Sequence, residues 1–129
     1  MKEIYVIDDD ESILKLINMT LRMNFKDILI TTETHGMRGF RLIKSGNADL
    51  IILDIVLPGM DGEKICKELR KMNKYSKTPI LAFTALDLDF KEIDLLNAGF
   101  DFCISKSTDL FNLVKIIKTY LHQDKSISK

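Results

Sequence analysis

Residues 49–57 constrain the fold more than any other segment, because this stretch, DLIILDIVL, is almost continuously aliphatic. A short run of this kind is typical of a strand in a parallel sheet that helices cover on both faces. After the first position, Asp54 is the one polar residue in the run. A buried carboxylate needs a partner, so we interpret Asp54 as a functional residue. A cap for the turn at Pro58 is the structural alternative.

The rest of the chain alternates apolar, strand-like runs with segments of helical periodicity. This pattern predicts an α/β fold, a doubly wound five-stranded parallel sheet with helices on both faces. The predicted strands are residues 4–7, 27–32, 49–57, 78–84 and 102–104. The predicted helices are a first one with Ile13, Ile17 and Leu21 on its core face, and then residues 35–44, 63–72, 90–98 and 108–121. We expect one domain over residues 1–122 and a polar tail over residues 123–129.

Three consecutive aspartates, Asp8, Asp9 and Asp10, follow the first predicted strand directly. Like charges crowded in this way repel each other unless a cation neutralises them. Mg²⁺, a hard cation that takes oxygen ligands, is suited to the task. An acidic turn in which Asp10 or Ser12 caps the next helix accounts for the triplet equally well.

Composition excludes several classes of protein. The 129 residues suit one compact domain, and the 19 basic residues balance the 19 acidic ones. We therefore expect no direct nucleic-acid partner and no membrane partner. The two cysteines, Cys66 and Cys103, lack the spacing of a zinc site or a disulfide framework, and no apolar stretch is long enough to span a bilayer. A cytoplasmic protein is expected.

The candidate polar residues all lie where predicted strands end. In doubly wound sheets, ligands bind outside the carboxyl ends of the strands. Asp8 and Asp9 follow the first strand, Asp54 lies late in the third, Thr84 ends the fourth and Lys106 follows the fifth. Alone, Thr84 is an ordinary strand residue and Lys106 a surface lysine; their shared location makes them candidates.

The sequence resembles the receiver domain of two-component response regulators over almost its whole length. The matching segments are, in order, IYVIDDDES, LIILDIVLPGMDG, PILAFTA and FCISKS. The resemblance implies a flavodoxin-like receiver fold and a phosphoryl group that Asp54 accepts from a sensor histidine kinase or a phosphotransfer protein. Thr84 and Lys106 would contact the phosphoryl oxygens, and we expect Lys106 to pair with Asp54 before phosphorylation.

The resemblance also implies a magnesium site and a mode of signalling. Asp9, Asp54 and the backbone carbonyl of Val56 would ligate Mg²⁺, with Asp8 acting through water. Such a domain catalyses only its own phosphorylation and dephosphorylation, so we do not expect an enzyme that acts on a separate substrate. Phosphorylation would change the conformation of a face within residues 90–121 that contacts an unknown downstream protein.

Two positions depart from the family pattern. Ser107 follows Lys106, whereas the family usually has proline there, joined by a cis bond. A cis bond before any other residue costs about 2.5–4 kcal/mol, so we predict that the Lys106–Ser107 bond is either trans or strained. Cys103 occupies the position of the family's usual aromatic residue, and Phe102 should point to the opposite face of the sheet.

Two other functions remain open at this point. Asp8, Asp10 and Ser12 loosely match the opening motif of haloacid-dehalogenase-like phosphatases, in which Asp8 would be the nucleophile. That class usually has glycine where this chain has Glu11. A flavodoxin-like binding module without chemistry is the second alternative, although the chain lacks a glycine-rich or hydroxyl-rich loop after the first strand to hold a phosphate.

Overall fold

The computed structural model describes residues 1–85 and 88–122, except for the side chain of Phe90, so the predicted tail lies outside the described residues. Strands and helices alternate along the chain. In order they are β1 (Lys2–Ile7), α1 (Glu11–Asn24), β2 (Ile28–Glu33), α2 (Gly36–Ser45), β3 (Leu50–Leu53), α3 (Gly62–Arg70), β4 (Ile80–Thr84), α4 (Leu88–Ala98), β5 (Phe102–Ser105) and α5 (Leu110–Leu121). A short 3₁₀ helix, Asn73–Tyr75, follows α3.

The five strands form one parallel sheet in the order β2-β1-β3-β4-β5. Because β1 pairs with both β2 and β3, the direction of winding reverses between β1 and β3. This is the point at which doubly wound sheets open a cleft at their carboxyl edge. The predicted fold is confirmed.

Alternation along the strands divides the core into two layers. Ile4 and Val6 of β1 pack on the side covered by α1 and α5, whereas Tyr5 and Ile7 pack on the side of α2, α3 and α4. Both faces of the central strands are therefore buried, which explains why their sequences are almost continuously apolar.

The predicted boundaries need correction at the central strand, which ends at Leu53 and not at Leu57. The carboxylate of Asp54 accepts a hydrogen bond from the amide of Val56 at 3.3 Å, and this local turn takes the chain out of the sheet. Ile55 and Leu57 belong to the loop that follows β3, and they are apolar because their side chains are buried in the core. Periodicity alone does not separate these two cases.

Two predicted core positions also differ. Leu14, not Ile13, is buried with Ile17 and Leu21 along α1. Leu110, expected in the buried stripe of the last helix, is 37% exposed because α5 begins there, at the margin of the core.

Gly62 lets α3 begin directly against the end of β3. Its amide donates to the carbonyl of Ile55 at 2.9 Å, and a Cβ at this position would lie 2.1 Å from the carbonyl oxygen of Asp54. The first residue of α3 therefore presses on the backbone of the candidate functional carboxylate.

Gly62→Ala is expected to lower the free energy of unfolding by at least about 2 kcal/mol, because backbone and not a flexible side chain blocks the new methyl group. Urea denaturation measures the change. Lys64→Ala, an exposed change in the same helical turn, is the control and should stay within about 0.5 kcal/mol of wild type. A Gly62→Ala protein as stable as wild type would contradict the close approach.

Candidate functional site

The aspartate triplet divides between two tasks. Asp10 caps α1, and its carboxylate accepts from the amide of Ser12 at 2.9 Å and that of Ile13 at 3.4 Å. Asp8 is buried, and its Oδ1 accepts from the amide of Asp10 at 2.9 Å. Asp9 is exposed at the mouth of the cleft. The helix-cap interpretation is therefore confirmed for Asp10, whereas the binding of Mg²⁺ stays a prediction.

Asp54 lies across the cleft from the triplet, one residue beyond β3. Its amide donates to the carbonyl of Ile7 at 2.9 Å, which ties it to the end of β1, and its side chain is buried. Carboxylate oxygens of Asp8, Asp9 and Asp54 all lie within 4.8 Å of one another. The structure brings these three predicted residues together.

This oxygen cluster fits a hard divalent cation. Within the part of the chain that the structure describes, Oδ2 of Asp8 is buried and lacks a well-aligned hydrogen bond, although an ammonium group lies nearby. Carboxylate oxygens of this kind are the ligands that Mg²⁺ takes. Val56 lies beside the cluster, because its amide contacts Asp54, but the proposed role of its carbonyl stays a prediction.

Lys106 reaches into the cleft from beyond β5. Its ammonium lies 2.9 Å from Oδ2 of Asp54, to which it donates a hydrogen bond, and 2.9 Å from Oδ2 of Asp8. The ring of Phe83 lies 5.7 Å from the ammonium. The predicted pairing with Asp54 is confirmed. The pairing with Asp8 was not predicted, because sequence order does not reveal which of several clustered oxygens a long side chain reaches.

The charges in this cluster do not cancel, since one ammonium faces two buried carboxylates. Burial raises the pKa of the Asp8 carboxyl; the hydrogen bond from Asp10 and the contact with Lys106 oppose this without overcoming it, and the charge of Asp54 adds to it. Burial lowers the pKa of Lys106, but its hydrogen bond to Asp54 and its ion pair with Asp8 outweigh burial and raise the pKa overall. The site therefore favours an added positive charge.

Thr84 completes the group at the same edge of the sheet. It ends β4, is 1% exposed, and its carbonyl accepts from the amide of Lys106 at 2.9 Å. The ends of β4 and β5 are thus joined directly behind the cleft.

The segment around Lys106 resolves both departures from the family pattern. The described residues contain no cis peptide bond, so the bond to Ser107 is trans, one of the two predicted outcomes. Cys103 is buried, whereas Phe102 is 38% exposed and packs on Tyr120 of α5 with ring centroids 6.0 Å apart. The prediction that Phe102 points away from Cys103 is confirmed.

Ser105 and Ser107 are features that sequence reasoning missed. Their hydroxyl oxygens lie 2.7 Å apart on either side of Lys106. The symmetrical Ser-Lys-Ser pattern is the signal that was available in the sequence.

Comparison with known proteins agrees with this geometry. The family model of the response regulator receiver domain matches residues 4–118. The chain belongs to this family. It is a receiver domain of two-component response regulators. The two alternative functions, a haloacid-dehalogenase-like phosphatase and a binding module without chemistry, are therefore not favoured.

Curated relatives of this receiver domain include two bacterial regulators. The alkaline phosphatase synthesis transcriptional regulatory protein PhoP of Bacillus subtilis is 35% identical over 105 residues, which cover 81% of this chain and 42% of that protein. The transcriptional regulatory protein RstA of Escherichia coli is 36% identical over 124 residues, 96% of this chain and 50% of that protein. The receiver domain spans about half the length of the curated relatives it matches.

Solved structures give the same assignment. The BeF₃-activated N-terminal receiver domain of RstA from Klebsiella pneumoniae superposes with a TM-score of 0.84 and 32% identity, and covers 93% of this chain and 98% of that one. The receiver domain of the sensor histidine kinase PA1611 from Pseudomonas aeruginosa has a TM-score of 0.82 and 25% identity over 93% of this chain and 97% of that one. That structure holds a magnesium ion in its active-site cleft.

No helix among the described residues of this receiver domain has both the length and the apolar character of a membrane span.

Asp8→Asn is expected to raise the free energy of unfolding of the metal-free receiver domain by about 1–2 kcal/mol at neutral pH, because it removes one buried, incompletely neutralised charge. The carboxyl of Asp8 has a higher pKa in the folded chain than its ordinary value of 3.8. Lowering the pH through the folded pKa protonates Asp8 and should shrink the gain, which should vanish below the ordinary value.

Urea denaturation in EDTA, repeated from neutral to acid pH, measures this difference. Asp109→Asn is the matched control, since asparagine caps a helix about as well as aspartate, and Asp109 caps α5 at the surface. A loss of stability in Asp8→Asn at neutral pH would show that its pairing with Lys106 outweighs the charge imbalance.

Proposed function

We propose that Asp54 is the phosphoacceptor of this receiver domain and that the phosphoryl group comes from a phosphohistidine on a histidine kinase or a phosphotransfer protein. The observation that carries the proposal is the buried carboxylate of Asp54, whose oxygens cluster with those of Asp8 and Asp9 and whose Oδ2 accepts from the ammonium of Lys106 at 2.9 Å. The reaction is confined to the domain's own aspartate. The acceptor of the phosphoryl group is therefore the domain's own side chain and not a second molecule.

The transfer exchanges one bond to phosphorus for another. An oxygen of the Asp54 carboxylate attacks the phosphorus atom, the N–P bond of the phosphohistidine breaks, and the imidazole leaves. Negative charge spreads over the three equatorial oxygens, so catalysis consists mainly of positioning and electrostatic stabilisation. The ammonium of Lys106 and the hydroxyl of Thr84 would contact these oxygens. Water later cleaves the acyl phosphate and releases inorganic phosphate.

The acidic oxygens of this cluster would hold Mg²⁺. Asp9 and Asp54 would ligate it with the carbonyl of Val56, and Asp8 would act through water. A bound Mg²⁺ supplies positive charge that offsets the carboxylates and the phosphoryl oxygens. The magnesium ion in the cleft of the PA1611 receiver domain supports this assignment, as does the surplus of buried negative charge in the present site.

Phosphorylation would be read out on the side of β4, α4, β5 and α5. The added group brings roughly −1.5 to −2 charges, and Thr84 and Lys106, which respond to it first, are joined by a backbone hydrogen bond. The predicted partner surface over residues 90–121 carries several exposed apolar side chains. They are Ile93, Leu96, Phe102, Leu110 and Phe111. With Cys103 in place of an aromatic residue, the signal would pass through Thr84 and the backbone of β5.

The partners and the cellular location of the domain are also proposals. A further relative, 30% identical over 123 residues, is the DNA-binding dual master transcriptional regulator RpaA of Synechocystis. We expect the present domain itself to contact its kinase and a downstream protein but no nucleic acid. A cytoplasmic location also stays a prediction.

Incubation with phosphoramidate and Mg²⁺ should add the mass of one phosphoryl group, because the donor's N–P bond resembles that of phosphohistidine. Asp54→Asn should abolish the addition, EDTA should suppress it, and Asp8→Asn should slow it while leaving the label on Asp54. Intact-mass and peptide mass spectrometry measure these outcomes. Label that survives in Asp54→Asn but not in Asp8→Asn would assign the nucleophile to Asp8 and overturn the proposal.

Lys106→Met should tighten Mg²⁺ binding about tenfold, the lower end of what a hydrogen bond to a charged group contributes. The ammonium pairs with both Asp8 and Asp54 and so competes with a cation for the same oxygens. Isothermal titration calorimetry measures the affinity. Lys91→Met removes a lysine that pairs with Glu63 outside the cluster and is the control. Unchanged or weaker Mg²⁺ binding in Lys106→Met would contradict the competition.

A further inference from the structure

The loop that carries Lys106 is braced by two serines. The hydroxyl of Ser105 lies 2.7 Å from that of Ser107, and either can be the donor. The same oxygen of Ser105 also accepts from the amide of Ser107 at 3.2 Å, and the carbonyl of Ser105 accepts from the amide of Thr108 at 3.0 Å. Ser105 therefore bonds to both residues that follow Lys106.

We propose that Ser105 is a positioning residue, which uses its hydroxyl to lock the loop and to hold the ammonium of Lys106 between Asp8 and Asp54. This inference rests on the proposed function, in which Lys106 contacts the transferred phosphoryl group. It assigns to a side-chain bridge the task of fixing the backbone after the lysine, at a position where Ser107 provides no ring to do so.

The two sides of Lys106 are fixed by different means. On its amino side, the amide of Lys106 donates to the carbonyl of Thr84, so this end belongs to the edge of the sheet. On its carboxyl side, α5 does not begin until Leu110, and Ser107 is exposed. The bridge from Ser105 joins this side to the last residue of β5 and so extends the order of the sheet past the lysine.

A lysine side chain has large rotational freedom, and the backbone from which it extends sets where its ammonium spends its time. Lys106 must keep its ammonium 2.9 Å from each of two carboxylates. Small displacements of a catalytic group reduce rates strongly. Loss of the bridge should therefore weaken the pairing of Lys106 with Asp8 and with Asp54. The rate of phosphorylation should fall and the affinity for Mg²⁺ should rise.

Ser105→Ala should slow phosphorylation by phosphoramidate about two- to tenfold, the range that one neutral hydrogen bond spans. It should tighten Mg²⁺ binding by a similar factor, because a loosened ammonium competes less well for the oxygens of Asp8 and Asp54. If Ser105→Ala only disturbed the local structure, it would instead slow phosphorylation and weaken Mg²⁺ binding together. Ser105→Thr keeps the hydroxyl and should restore both values. Ser45→Ala, which removes a surface hydroxyl bonded within α2, is the matched control.

A double-mutant cycle with Lys106→Met decides whether Ser105 acts through the lysine. In the Lys106→Met background, Ser105→Ala should leave the Mg²⁺ affinity unchanged. The same tightening in both backgrounds, or a Ser105→Ala protein with wild-type rate and affinity, would overturn the inference. Failure of the proposed function appears separately, as a wild-type protein that gains no label on Asp54, whereas the Mg²⁺ cycle reports on Ser105 regardless of phosphorylation.

Discussion

An ammonium group held between two buried carboxylates is the interaction on which the rest of the site depends. Asp8 comes from the end of β1, Asp54 from the end of β3 and Lys106 from beyond β5, so their meeting depends on the pairing of β1, β3, β4 and β5. One positive charge facing two negative ones leaves a net negative charge in the buried cluster. A bound cation would supply the missing positive charge, and a phosphoryl group, which brings further negative charge, would increase the need for that cation.

Much of the fold followed from patterns in the sequence. Periodicity located the five strands, and the four helices for which bounds were predicted, to within a few residues, but it missed the short 3₁₀ helix Asn73–Tyr75. Strand ends placed Asp8, Asp54, Thr84 and Lys106 at one edge. The errors have a common cause. Residues that are apolar because a loop is buried, such as Ile55, look the same in sequence as those buried from a strand, and a carboxylate that turns the chain by bonding to its own backbone is visible only in three dimensions.

The site was less predictable than the fold because side-chain reach is not encoded in spacing. The pairing of Lys106 with Asp54 was expected, whereas its contact with Asp8 and the bridge between Ser105 and Ser107 were not. The first feature joins two predicted residues and the second involves the two neighbours of Lys106, and in both cases local geometry decides among several possible partners. The division of the aspartate triplet between a helix cap and a buried cluster is of the same kind.

The contact of Gly62 with the backbone of Asp54 has a consequence for the direction in which the molecule can respond. The start of α3 lies so close to the carbonyl of Asp54 that no side chain fits between them, so we expect little movement on that side. On the opposite side, Lys106 extends from the partly exposed loop between β5 and α5. We therefore expect a rearrangement caused by the charge of a phosphoryl group to involve the loop between β5 and α5 more than the start of α3.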